Sequence, residues 1–218
     1  MKEKENAIFY SIMGLVIVFA IIGWFLVIET IHVFLPNYAG ADTSSAVTVT
    51  APVSANISCS TDQTSSAFGT LATYTISTST PNASTTMSCV NSYAGCTLYI
   101  KDAGGGGNPG LWNSTSSVLI PSPNAAYSAT ATLVAGTSGY GIYATTTAGG
   151  SGDTLTIAGR YLQTGNTIGG LLLTNTTLAS STATSTSREV VVTHKATISA
   201  AVTAGTYNDT ITYECTAN

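Results

Sequence analysis

The sequence predicts an all-β protein, an antiparallel sandwich of about nine short strands preceded by one N-terminal transmembrane helix. Three observations predict it. Beyond Pro36 no stretch sustains the 3.6-residue apolar period of a helix, while β-branched residues, tyrosines and glycine-rich turns recur throughout. The 218 residues include 38 threonines and 25 serines but only 6 Lys or Arg and 10 Asp or Glu, a charged fraction of 7%, where ordinary soluble proteins carry about 25%. The long apolar run of the chain lies at its N-terminus.

That run extends from Ala7 to Ile28 without a charge. As a helix it would measure about 33 Å, enough for a hydrocarbon core of about 30 Å. Lys2 and Lys4 precede it and no cation follows until Lys101. The positive-inside bias therefore places residues 1–6 in the cytoplasm and the bulk of the chain outside the membrane. Residues 7–35 then form a retained anchor or an uncleaved signal. A cleaved secretory signal is the alternative: Pro36 ends the helix, and Ala39-Gly40-Ala41 is a small-x-small site that would release a chain beginning at Asp42. The length of the run, with Glu29 and His32 between it and that site, weighs against cleavage. Residues 36–45 are a linker. Both readings export a single β domain, residues 46–218.

Within that domain the clearest strand is Ala46–Ser58, where Val47, Val49, Ala51, Val53, Ala55 and Ile57 alternate with polar residues and Pro52. Proline cannot donate to a ladder, so this strand belongs at an edge. Strand character follows in Ser84–Cys89, Cys96–Lys101, Ala129–Val134, Gly141–Thr145, Thr154–Ile157, Glu189–His194, Thr197–Val202 and Asp209–Cys215. Ala103–Gly110 and Ala148–Asp153 read as turns, and the low-complexity stretch Ser180–Ser187 as an exposed loop.

Cys59, Cys89, Cys96 and Cys215 lie on the exported side, an even number with no zinc spacing, which predicts two disulfides. Cys89 closes one strand and Cys96 opens the next, so a hairpin would bring them together and leave Cys59 to Cys215, the latter pair meeting if the first and last strands lie side by side in parallel. If Phe68–Ile76 is itself a full strand, its successors reverse and Cys59 pairs with Cys89 instead.

The order Cys59, Phe68-Gly69-Thr70-Leu71, a strand ending at Cys89, and Gly205-Thr206-Tyr207-Asn208-Asp209-Thr210-Ile211 near the C-terminus resembles the spore coat protein U and archaic chaperone–usher pilin group, more loosely WxL-type surface domains, and uncharacterised secreted bacterial proteins. The resemblance covers the two ends of the exported domain. It implies an immunoglobulin-like, pilin-like sandwich in which Val47–Ile57 is a strand donated to a neighbouring copy. An intramolecular first strand explains the same alternation. A filament built on the N-terminal helix, as in type IV pilins, would need a Gly before the run and a Glu at its fifth position, and no such site precedes Ala7.

A net charge of −4 with four cations beyond residue 5 excludes nucleic acid as a partner. No nucleophile elbow or paired metal-binding histidines occur, and Gly104–Gly107 lacks the Lys-Ser/Thr of a phosphate loop. His194, in Val190-Val191-Val192-Thr193-His194-Lys195, reads as a strand histidine, and an enzymatic role would need a cleft with polar groups gathered around it. Asp102 and Asn108 offer too few oxygens for calcium. Trp112, Tyr140, Tyr143 and Tyr161 could stack on sugars if exposed, although core packing explains them more simply. Asn56, Asn82, Asn113, Asn175 and Asn208 stand in N-x-S/T sequons, which matter only in a glycosylating host. The expectation is a non-enzymatic, cofactor-free cell-surface protein of structural or adhesive duty. Its partners would be the membrane, copies of itself or other envelope proteins, and glycans. A pilus or coat subunit, or a carbohydrate-binding module, are the alternatives.

Overall fold

The computed structural model describes residues 13–24, 48, 50–123 and 129–218, and the chain divides into two units, Met1–Thr50 and Ala51–Asn218. In the first unit residues 13–24 are helical with exposed side chains. Among the described residues no helix is long and apolar enough to cross a membrane. The rest of the run Ala7–Ile28, the cleavage-site residues Ala39 and Ala41, and Val47 and Val49 lie outside the described residues.

The second unit is built of antiparallel strands: β1 (Asn56–Thr61), β2 (Ser77–Thr78), β3 (Ala83–Val90), β4 (Cys96–Asp102), β5 (Gly110–Asn113), β6 (Val118–Pro121), β7 (Thr130–Thr132), β8 (Gly139–Thr146), β9 (Ser151–Gly152), β10 (Thr156–Ile157), β11 (Thr167–Gly169), β12 (Thr176–Ser180), β13 (Ser185–Thr197) and β14 (Ile211–Ala217). One sheet runs β1-β3-β13-β8-β11-β7, a second β10-β12-β4-β14, and β5 with β6 makes a separate hairpin. The 13 residues of β13 are the axis of the first sheet: β3 and then β2 pair along one side, β9 and then β8 along the other.

Side-chain alternation makes the two sheets share one core. Val190, Val192, His194 and Ala196 of β13 face inward with Tyr140, Ile142 and Ala144 of β8. In the second sheet the inward set is Cys96, Leu98, Ile100 and Asp102 of β4, with Leu178 of β12. The large apolar side chains of both sheets meet in a single cluster, which Ile57, Phe68 and Leu71 join from its edge.

Both disulfides run between the sheets. Cys59 of β1 bonds Cys215 of β14, with Cα atoms 5.9 Å apart, and Cys89 of β3 bonds Cys96 of β4 at 6.2 Å. The pairing is the one ranked first from sequence, but its geometric premises are corrected. β3 and β4 are no hairpin: the Val90–Gly95 link is an arch from one sheet to the other. Likewise β1 and β14 are not ladder neighbours; they face each other across the core edge. Phe68–Ile76 forms no strand, so the condition for a Cys59–Cys89 bond is not met.

Other expectations are also corrected. The alternating segment is not a strand as far as Ala55: β1 begins at Asn56, and Ala51, Val53 and Ala55 lie outside both sheets, with Val53 73% exposed. Pro52 contributes the reason, since it lacks the N–H a ladder needs. Thr197–Val202 does not make a second strand; β13 ends at Thr197 and turns. The Ser/Thr stretch Ser180–Ser187 is not simply an exposed loop, for Ser181 and Ser185 are buried and its last three residues open β13.

Candidate functional site

Strand parity places acidic and aromatic hydroxyl groups where a sandwich core normally holds only hydrocarbon. In β4 the inward series Cys96, Leu98, Ile100 continues to Asp102, whose side chain is fully buried. In β14 the series Cys215, Tyr213, Ile211 continues backward to Asp209. Ile211 pairs with Asp102, and Ala103 N donates to Thr210 O at 2.9 Å, which brings the two carboxyl groups side by side. From the opposite sheet come Tyr140 and His194, diagonal neighbours on one face because Tyr140 pairs with Ala196 and His194 with Ile142.

These groups line or adjoin a cavity of about 810 Å³, within the range of ligand-sized clefts. Its apolar walls include Phe68, Leu71, Leu111, Ile120, Val202 and Ile211. Residues 203–210 form one side of it. The Phe68 ring meets Tyr140 edge-on at 6.1 Å, and Tyr140 stacks with His194 at 6.0 Å.

Each polar group has a defined state. Tyr140 Oη and His194 Nδ1 are hydrogen-bonded at 3.0 Å. Burial pushes the His194 imidazole down to about 4, so it is neutral at physiological pH. Burial, and after it the charge of Asp209, raises Tyr140 well above the ordinary phenol range, and the same causes raise Tyr213. Asp102 accepts from Gly104 N at 2.5 Å and Gly110 N at 2.9 Å, although desolvation outweighs these bonds and raises its carboxyl. Asp209 is raised to about 7, chiefly by burial and then by the Asp102 charge. Its Oδ1 accepts from Thr210 N at 2.7 Å, and the Tyr140 hydroxyl set against the carboxyl offsets part of the rise, while the Tyr213 hydroxyl is buried with no hydrogen-bond partner.

The structure thus sets His194 inside a cleft with polar neighbours, not on an open, solvated strand face. Asp102 spends both oxygens on the turn after β4, and Gly105 and Gly106 pack against the Trp112 ring, which gives the glycine run its structural use. Tyr140 and Tyr161 are core residues, Tyr140 also lining the cavity, and Tyr143 and Trp112 are half-buried. Among the sequons, Asn113 is buried with Oδ1 accepting from Thr115 N and Ser116 N. Among the described residues no group of three or more His, Cys, Asp or Glu side chains is placed to hold a metal ion. Neither Asp209 nor Tyr213 stands out in the sequence by type; the signal that finds them is parity, counted in twos from Ile211 and Cys215.

Comparison with family models, with curated proteins and with solved structures finds no match to this chain.

Proposed function

We propose that this chain is a non-enzymatic structural or adhesive protein of the cell surface, anchored by its N-terminal hydrophobic segment and presenting an immunoglobulin-like, pilin-like sandwich. The observation that carries the reading is the pair of disulfides that staple one sheet to the other in a charge-poor β domain, a construction suited to an oxidising exterior. A surface with few long charged side chains orders against neighbours at small entropic cost and with little dependence on salt. The polar cleft also fits this reading better than catalysis. Tyr140 and His194 are held neutral, and Asp102 is committed to backbone donors.

A second reading, assembly by strand donation, is favoured by one specific observation. Ala51, Val53 and Ala55 continue the alternation of β1 yet belong to no strand, while the cavity between the sheets is lined by apolar and polar side chains and, among the described residues, no strand crosses it. The segment leaves β1 at Asn56, opposite Val90, whereas the cavity begins at Gln63, beyond the other end of β1 at Thr61. Six strand residues, about 20 Å, separate the two ends. The segment therefore leaves β1 at the end opposite to its own cavity, which fits donation to another copy better than insertion into its own. Sedimentation of envelope-derived protein tests this: polymers in the full chain that disappear when residues 46–55 are deleted support it, and deletion without effect refutes it.

A further inference from the structure

The floor of the cavity carries an arrangement that hydrophobic burial does not explain. Two carboxyl groups adjoin there, one from β4 and one from the segment that enters β14. Asp209 Oδ2 is buried, and the side chains set against its carboxyl are the Tyr140 hydroxyl and the Asp102 carboxyl; a buried oxygen left unsatisfied costs about 1–3 kcal/mol. The Tyr140 hydroxyl is shared with His194 Nδ1, and the two adjoining carboxyl groups can hydrogen-bond to each other only if one proton lies between them. The groups that face the pair carry no positive charge: Tyr140 from β8, His194 from β13 behind it, neutral, and Tyr213 from β14. Tyr207, in the same segment, donates its hydroxyl to Thr203 O. Lys101 and Lys195 alternate to the outer faces of β4 and β13, where Lys101 is exposed and Lys195 Nζ donates to Asn166.

We propose that Asp102 and Asp209 share a single proton and act as a latch that fixes residues 203–210, one wall of the cavity, so that the cavity opens when the proton is lost. In the closed state the Asp209 carboxyl donates to the Asp102 carboxylate. Loss of the proton to water leaves two adjacent carboxylates with no cation between them, and their repulsion acts on the more mobile partner. Asp102 is fixed by Gly104 N and Gly110 N, so the segment bearing Asp209 is the one that yields. Its other ties include the two backbone bonds between Asn208 and Trp112, the one from Ala103 to Thr210, and the Tyr140 hydroxyl set against the Asp209 carboxyl. The latch stands on the cavity alone; only the identity of what enters through it rests on the strand-donation reading.

Hydrogen exchange on the full chain tests the latch without any occupant. After correction for intrinsic rates, amides of residues 203–210 are expected to exchange about tenfold faster at pH 8.5 than at pH 5.5, the tenfold corresponding to about 1.4 kcal/mol of lost local stability. Asp209→Asn, which keeps a donor toward Asp102 at every pH, is expected to remove that difference; Asp102→Asn serves if the first variant folds poorly. A wild type without the difference, or a variant that retains it, overturns the proposal. A synthetic peptide of residues 46–57 added in parallel is expected to bind more tightly at pH 8.5. Exchange that responds to pH without any peptide binding leaves the latch standing and refutes strand donation.

Discussion

Cys59 and Cys215 lie 156 residues apart in sequence and join the first strand to the last across two different sheets, their Cα atoms 5.9 Å from each other. Loop closure on that scale restricts the unfolded chain strongly. The chain-entropy model gives about 5 kcal/mol for this bridge and about 2.5 kcal/mol for Cys89–Cys96. Thermal unfolding of the two double Cys→Ala variants should show the larger loss of Tm in the first, and equal losses would contradict the entropic account.

The Tyr140–His194 hydrogen bond is buried, so removing one partner should cost more than removing both. Tyr140→Phe leaves His194 Nδ1 unpaired in the core and should lower stability by about 1–3 kcal/mol in urea unfolding. Adding His194→Leu to that variant should recover part of the loss, since the ring nitrogen left without its partner is then gone.

The shifts of Asp209 and His194 act on stability in opposite directions. Asp209, raised to about 7, holds a proton in the folded state that the unfolded chain has released, so its stabilising effect is complete below about pH 4 and is lost as pH rises through about 7. His194, lowered to about 4, refuses a proton the unfolded chain accepts, so stability is lost as pH falls from about 6.5 toward 4. In the wild type these slopes oppose each other and the stability profile should be nearly flat between pH 4.5 and 6.5, as estimated from these shifts. Asp209→Asn should leave stability rising with pH across that window and His194→Asn should leave it falling. Each change is worth about 2 kcal/mol once solvent on the open side of Asp209 is allowed for.

At Gly105 a side chain would collide with the Trp112 ring, whose Cβ and Cγ already lie against the backbone. Gly105→Ala should destabilise by about 1–3 kcal/mol, as overpacking does, and shift Trp112 fluorescence. Gly107→Ala meets no atom, and its penalty should be that of a left-handed backbone position alone.

Much of this fold is legible in the sequence because alternation is a local signal. β3, β4, β8, β10 and β14 appear within one to three residues of their alternating runs. The merger of Glu189–His194 with its flanks into the 13-residue β13 is not legible, because it depends on β9 and β2 pairing at its two ends. Nor is the arch between Cys89 and Cys96, since a six-residue link serves a hairpin and a sheet crossing equally. The limits of Ala51–Ala55 were visible in Pro52, but alternation alone cannot say whether a partner strand exists. Of the polar cleft, His194 is visible by type. Asp102 and Asp209 are named in the sequence for other reasons, and their meeting with each other and with Tyr213 becomes visible only once the register of β4 against β14 is known.

The proposal that this surface protein assembles has one decisive form, in which the segment before β1 of one copy occupies the cavity of another. A photo-crosslinking side chain at position 53, in a mixture of isotopically light and heavy full-length protein, tests it most directly. The account predicts mixed-isotope crosslinks from residue 53 to cavity residues such as Phe68, Leu71 or Val202, in the same fractions that contain polymer. Crosslinks confined to single chains, or mixed crosslinks that avoid the cavity, would contradict it.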